Sequence, residues 1–305
     1  MGTLILMIIK IFGVFFTILP RSVQLVLGNG LGLLLRVIGF RFRVVQQNVA
    51  LAFPGESQIQ HEIAKKSYDH LGNLLLEILM VFGFMRQFVL KSVDFFGIEN
   101  FREAQKLGRG VIILSSHLGN WEVMAAAGGV LAQADLMLVT KRLKPEWLHQ
   151  AVQEGRLKSG VKACYEPRTL RQILSHLKKN GTVGFVLDQY SGPPVGVRVP
   201  FFGVPVGTSL ALAALVKRTK APVLPVENYR KSDGRWVVRV DPPLVWEKFE
   251  EDSRFELAAN TANFVQVLEK SIRSHPEQWL WTHRRFKGDL GPLLREEWKT
   301  PRARK

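Results

Sequence analysis

A single cysteine, Cys164, occurs in 305 residues, so no disulfide can form within the chain and a reducing compartment is expected. Several signatures are missing as well. There is no G-x-x-x-x-G-K-[ST] phosphate loop, no H-E-x-x-H helix, no G-x-S-x-G nucleophile elbow and no cluster of cysteines. Those absences argue against a P-loop nucleotidase, a zincin protease, an elbow-type serine hydrolase and a zinc ribbon. Repeats, low-complexity tracts and interior linkers are lacking too. No acidic residue precedes Glu56, and no small-residue cleavage site of the A-x-A kind follows the first apolar stretch. A retained N-terminal segment is therefore expected rather than a cleaved signal peptide.

What is abundant is positive charge. Lys and Arg number 42 against 26 Asp and Glu, a formal net charge of +16, which implies an anionic partner: nucleic acid, an anionic membrane surface, an acidic protein or a phosphorylated substrate. Residues 4–19, LILMIIKIFGVFFTIL, are apolar except for Lys10 and Thr17 and stop at Pro20 and Arg21. They fall somewhat short of the roughly 20 residues that cross a bilayer. A second apolar stretch, Val23 to Phe40, is broken by Gly28, Asn29, Gly30, Gly32 and Arg36. Either the first stretch spans, or both lie in the membrane interface with their cations on anionic head groups; the basic flank favours a cytoplasmic body. A buried hairpin of core helices is the remaining alternative. The expected organisation is an anchor or interfacial region, 1–40, followed by a catalytic domain, 41–305.

Beyond residue 110 the pattern alternates. Leu136 to Val139, Val183 to Leu187, Val223 to Val226 and Trp236 to Val240 read as strands, with helices expected over 145–158, 168–179 and 209–218, the last capped by Thr208. Helical spacing also runs through 58–85, and a short helix is expected over 99–107. The fold class expected is α/β, a mainly parallel sheet sandwiched by helices, preceded by an N-terminal hydrophobic helical anchor.

The chain is organised around Val111 to Glu122, VIILSSHLGNWE. Its apolar, β-branched start fits a strand buried on both faces, Asn120 is a helix N-cap residue, and Trp121 to Ala127 reads as a helix start. His117 thus lies in a strand-to-helix turn. If Glu122 reaches back from the first helical turn, its carboxylate can hold one ring nitrogen and leave the other free as a base. The same H-x-x-x-x-E spacing recurs at His149 and Glu154, in a polar helical stretch with no strand before it, read as a solvated face. Ligands bind beyond the carboxyl ends of strands in open α/β sheets, which brings forward Lys141, Arg142, Asp188 and Gln189. Lys141 and Arg142 either clamp a phosphate or are solvated cations, and Asp188 either serves the site or opens a turn. Phe201 and Phe202 either line an acyl groove or close the core.

With SSHLGNWE, LDQYSG, VPFFG and HPEQWLWTHRRFK in view, together with QQNVALAFP at 46–54, the chain resembles the bacterial lipid A biosynthesis acyltransferases of the lauroyl/myristoyl type. The resemblance runs from about Arg41 to Phe286 and includes the N-terminal hydrophobic stretch. It implies transfer of a fatty acyl group from acyl carrier protein to a hydroxyl of an anionic lipid A precursor, at the cytoplasmic face of the inner membrane. It also implies His117 and Glu122 as catalytic, with Arg156 and Asp188 supporting the site; Asn120, Trp121, Lys141, Arg142 and Gln189 complete the expected set of supporting or substrate-binding residues. A thioester donor needs neither metal nor cofactor. An enzyme acylating another membrane glycolipid, such as a phosphatidylinositol mannoside, would share these motifs. A membrane-attached nucleic-acid binder would explain the charge, yet basic and aromatic residues are not interleaved in a reading motif.

Overall fold

Pro20 divides the N-terminal apolar region. Proline cannot donate to a helical ladder and starts helices better than it continues them, so α1 (Gly2–Ile18) ends before it and α2 (Arg21–Val37) begins after it. The computed structural model describes residues 2–165, 169–249 and 253–287. At about 1.5 Å per residue a 17-residue helix is about 26 Å long, under the roughly 30 Å hydrocarbon core. The expected spanning anchor is thus not supported: among the described residues no single helix is long and apolar enough to cross a membrane. Only α2 taken together with α3 (Phe42–Ala52), bent by 97°, passes on length and composition.

α2 is instead packed on α4 (Ser57–Ile78), with Gln24, Gly28 and Gly32 buried at the contact. A Cβ on Gly32 would lie 2.3 Å from the Tyr68 carbonyl oxygen, so only glycine lets the two backbones approach this closely. Phe16 of α1 is buried in the core, although much of the remaining surface of α1 and α2 is exposed and apolar.

A 3₁₀ turn, Leu79–Phe82, and α5 (Met85–Ser92) lead into β1 (Val93–Phe96), α6 (Ile98–Lys106), β2 (Val111–Ser115), α7 (Trp121–Val130), β3 (Leu136–Val139) and α8 (Glu146–Lys158). β4 (Val161–Cys164), α9 (Thr169–Lys178), β5 (Thr182–Val186), β6 (Gly196–Phe201) and β7 (Val204–Ser209) come next. α10 (Ala211–Thr219), β8 (Val223–Arg230), β9 (Trp236–Val240) and α11 (Ser253–Ser274) complete the described elements. Seven strands form one sheet in the order β1-β9-β8-β2-β5-β3-β4, parallel except where β8 meets β9. This agrees with the α/β expectation. Successive residues of a strand face opposite sides, so Ile112 and Leu114 join the core under α9 to α11 while Val111 joins the core under α5 to α7.

Two local expectations change, and one open alternative is resolved. Residues 196–209 form the antiparallel hairpin β6-β7, and Thr208 is a strand residue whose hydroxyl accepts from Arg285 Nη2 (2.7 Å) rather than a helix cap. β1 and β4, each four residues long, carry charged residues that hid their strand character. Phe201 and Phe202 are buried, ring against ring at 4.8 Å and packed on Trp279 and Trp281, so they close the core. Of the strongly basic stretch 284–305, residues 288–305 lie outside the described residues, as does Arg168 at the expected start of a helix.

Candidate active site

Parallel register assembles the centre of the site. β2 and β5 are neighbours, with Ser115 opposite Val186 and the Leu187 N–H donating to the Ser115 carbonyl (3.1 Å). Two residues further along both chains, His117 meets Asp188. The Asp188 Oδ1 accepts from His117 Nδ1 (2.7 Å), and Oδ2 accepts from the His117 backbone N–H (2.7 Å) and from Trp279 Nε1 (2.6 Å).

The carboxylate that orients the histidine is therefore Asp188, not Glu122. Glu122 turns to α8, where its carboxylate accepts from Arg156 Nε (3.0 Å) and Nη2. The reason is rotational: Glu122 sits one helical position past Trp121, whose ring meets His117 edge-on at 4.9 Å. One residue on a helix rotates the side chain by about 100°, so Glu122 faces α8 instead of the turn. His149, read as solvated, is buried edge-on against Tyr165 at 4.7 Å. Its spacing partner Glu154 meets Lys10 at 3.5 Å.

Burial opposes an imidazolium at His117, but the charge and hydrogen bond of Asp188 outweigh it and raise the pKa above the usual 6.5. Burial also favours the neutral acid at Asp188. The His117 charge, the His117 ring and backbone donors, and Trp279 nevertheless hold it down at about 2. Asp188 is thus ionised at ordinary pH and accepts a hydrogen bond from Nδ1–H, so in the neutral ring Nε2 is the acceptor. Gln189 Nε2 donates to it at 3.3 Å.

Nε2 looks onto a cleft of about 690 Å³. Trp121, Met124, Leu138, Gly184 and Val186 make its apolar wall, and Lys141, Arg142, Arg156 and Gln189 its polar side. Arg142 is exposed and paired with Glu146 (2.8 and 3.0 Å), while Lys141 stands exposed at the rim. Asn120 is fully buried and supports the turn from beneath: its Oδ1 caps α7 by accepting from the Glu122 and Val123 N–H groups (3.1 and 3.2 Å).

Sequence reasoning missed the residues that hold the turn. Glu77 Oε2 accepts from Asn120 Nδ2 (3.1 Å), which fixes the amide in its capping orientation, and Arg21 of α2 neutralises Glu77. Asn228 at the end of β8 accepts from the Asn120 N–H (2.7 Å) and donates to the Leu118 carbonyl (2.9 Å). His70 Nε2 meets the Gly119 carbonyl (3.2 Å), and its Nδ1 accepts from Arg230 (3.0 Å). Burial and Arg230 push the His70 pKa down to about 3, so it stays neutral. Gly119 has φ of +64°, and a Cβ there would lie 2.4 Å from the Asn228 carbonyl oxygen; only glycine makes this turn. A signal existed in Ser67, His70, Asn73 and Glu77, polar residues at helical spacing along the face of α4 that its leucines mark as buried. The 276–281 segment clamps the turn from the other side, Leu280 N–H to the His117 carbonyl (3.1 Å) and Gly119 N–H to the Gln278 carbonyl (2.9 Å).

A histidine held by a buried carboxylate at the carboxyl edge of a helix-covered parallel sheet, facing a cleft apolar on one side and basic on the other, suits an acyltransferase of lipid substrates. The chain belongs to the bacterial lipid A biosynthesis acyltransferase family, whose sequence profile matches residues 2–288. It is 31% identical over 274 residues to the lipid A biosynthesis palmitoleoyltransferase of Escherichia coli (strain K12), covering 88% of this chain and 86% of that protein. It is 30% identical over 281 residues to the lipid A biosynthesis lauroyltransferase of the same strain, covering 88% and 87%. A phosphatidylinositol mannoside acyltransferase of Mycolicibacterium smegmatis is 26% identical over 204 residues, covering 66% and 64%. The family expected from the motifs is borne out, the chain is an acyltransferase, and the nucleic-acid binder is set aside.

Proposed function

We propose that the protein transfers a fatty acyl chain from the thioester of acyl carrier protein to a hydroxyl of a lipid A precursor at the cytoplasmic face of the inner membrane. The observation that carries this is His117, whose Nδ1 is held by Asp188 Oδ1 at 2.7 Å while the ring lines the cleft. The acceptor hydroxyl gives its proton to Nε2 as its oxygen attacks the thioester carbonyl, and the carbonyl π pair moves to oxygen. On collapse the C–S bond breaks, and the imidazolium returns the proton to the leaving sulfur. Ionised Asp188 stabilises the transient imidazolium, and Lys141 at the rim suits an acceptor phosphate. Incubating the purified protein with acyl carrier protein thioesters and candidate lipid A precursors, followed by mass spectrometry, tests the reading. No acylated product from any pair would refute it.

The acyl chain fits the apolar wall. Met124, Leu138, Gly184 and Val186 also line a small cavity of about 50 Å³ behind the cleft, which continues to Gly128, Ala132 and Leu136. A Cβ at Gly128 would make only an ordinary 3.5 Å contact with Leu136. Gly128→Ala should therefore fold, narrow the inner end and shift preference toward shorter chains. At about 0.8 kcal/mol per methylene kept from burial the penalty is near fourfold each. Competition between thioesters of different length reads this out, and an unchanged product profile would place the chain elsewhere.

Membrane association is supported by the apolar surface of α1 and α2, where Ile11, Ile18, Val26 and Val37 are 61 to 75% exposed, with Lys10 and Arg36 on the same helices. Such a surface suits the interfacial layer of an anionic bilayer. Ile11→Glu with Ile18→Glu should lower the fraction bound to phosphatidylglycerol-containing vesicles several-fold, with unchanged melting because both positions face solvent. Equal sedimentation of both proteins would contradict it.

A further inference from the structure

Acyl transfer builds negative charge on the former carbonyl oxygen, which needs donors about 2.7–3.1 Å away. The reactive turn has already committed most of its own. The N–H groups of His117, Gly119, Asn120, Glu122 and Val123 donate to Asp188, the Gln278 carbonyl, Asn228 and, for the last two, Asn120. Leu118 is only 1% exposed and presents nothing to the cleft. Of the cations there, Arg156 spends Nε and Nη2 on Glu122, Arg142 is paired with Glu146, and Lys141 stands exposed at the rim, where the reading above gives it the acceptor phosphate.

Resting on the acyl-transfer reading above, we propose that the side-chain amide of Gln189 is the oxyanion donor of this enzyme, a catalytic residue in its own right. Its Nε2 already lies 3.3 Å from His117 Nε2, the atom beside which the new bond must form. Its backbone is held on both sides. Asp188, the residue before it, grips the far edge of the same ring, and fully buried Arg285 donates from Nη1 to the Gln189 carbonyl (2.7 Å) and the Gly207 carbonyl (2.8 Å). The side chain itself is exposed in the cleft. In the resting site the amide occupies the place of the acceptor hydroxyl. When the hydroxyl takes over His117 Nε2, the amide is displaced by about one hydrogen-bond length, onto the thioester carbonyl oxygen. There it donates to the oxyanion while the C–O bond forms, and it is released when the carbonyl re-forms and the C–S bond breaks.

Full-length Gln189→Ala, Gln189→Glu and His117→Ala, assayed in the same membranes with acyl carrier protein thioester and acceptor, test this. Both Gln189 variants should lose about 10²- to 10³-fold in kcat with KM within about threefold. Melting should be unchanged and the acidic limb of the pH profile should stay in place, since His117 and Asp188 remain. A Gln189→Ala kcat within about threefold of the parent, or a loss confined to KM, would overturn the proposal and leave the Trp121 N–H or Arg156 as the donor, provided His117→Ala is inactive. Undiminished turnover by His117→Ala would instead overturn the reading of the site itself.

Discussion

Asp188→Asn is expected to lower kcat on the order of 10⁴-fold with almost no change in folding, because an asparagine can replace every structural bond but reverses the tautomer. The amide oxygen, set where Oδ2 stands, still accepts from the His117 N–H and Trp279 Nε1. The amide nitrogen, set where Oδ1 stands, must donate to His117 Nδ1. The ring proton then moves to Nε2, where a base cannot have it. The pH dependence moves as well. Asp188 raises the His117 pKa in the parent, so parent activity should fall as pH drops through a value above 6.5, and the residual activity of the variant should persist to lower pH. For stability the sign is that of a depressed carboxylate. The contribution of Asp188 is full above its unfolded value near 3.8 and is lost as pH falls toward about 2, so acid unfolding of the variant should be less steep in that window. Rates and melting measured across pH check both, and a variant with near-parental kcat would remove Asp188 from the mechanism.

Glu122→Gln is expected to unfold readily as well as to lose activity. Its partner Arg156 has a side chain only 12% exposed and that of Glu122 only 7%. Breaking such a pair leaves an uncompensated buried guanidinium, worth about 3–5 kcal/mol, or a fall in melting temperature on the order of 10 °C. Arg156→Met in the same chain removes the orphaned charge and should restore most of the melting temperature. Turnover should stay low in this double variant, because Arg156 forms part of the cleft wall beside His117. Restored turnover would reduce the pair to scaffolding, and an unchanged melting temperature in Glu122→Gln alone would mean that the charge is solvated in solution.

These two carboxylates separate what local sequence encodes from what it does not. His117 was legible because strand, turn and helix are adjacent in sequence: the β-branched run, the Asn120 cap and the small residues of α7 all act locally. Glu122 is equally close along the chain, yet helical rotation gives its carboxylate to Arg156 instead of His117. Asp188, 71 residues away, was placed at a strand end but not joined to His117, because nothing local states which strand lies next to β2. Trp279 and Arg285 stood inside a recognisable C-terminal motif, yet their service to Asp188 and Gln189 is visible only once 276–287 folds back over the turn.

The amino-acid order alone determined the α/β class, the position of His117 at a strand end, the basic character of the chain and the break at Pro20, since each depends on interactions within a few residues or on charge summed over the chain; the family followed from the resemblance of its motifs. Tertiary structure decided which carboxylate holds the histidine, that Arg142 and Arg156 are paired, and that α2 reaches the His117 turn through Arg21, Glu77 and Asn120. Those outcomes follow from strand order, parallel register and the close glycine contact of α2 with α4. Such long-range packing is selected by burial over the whole core, and no local pattern encodes it.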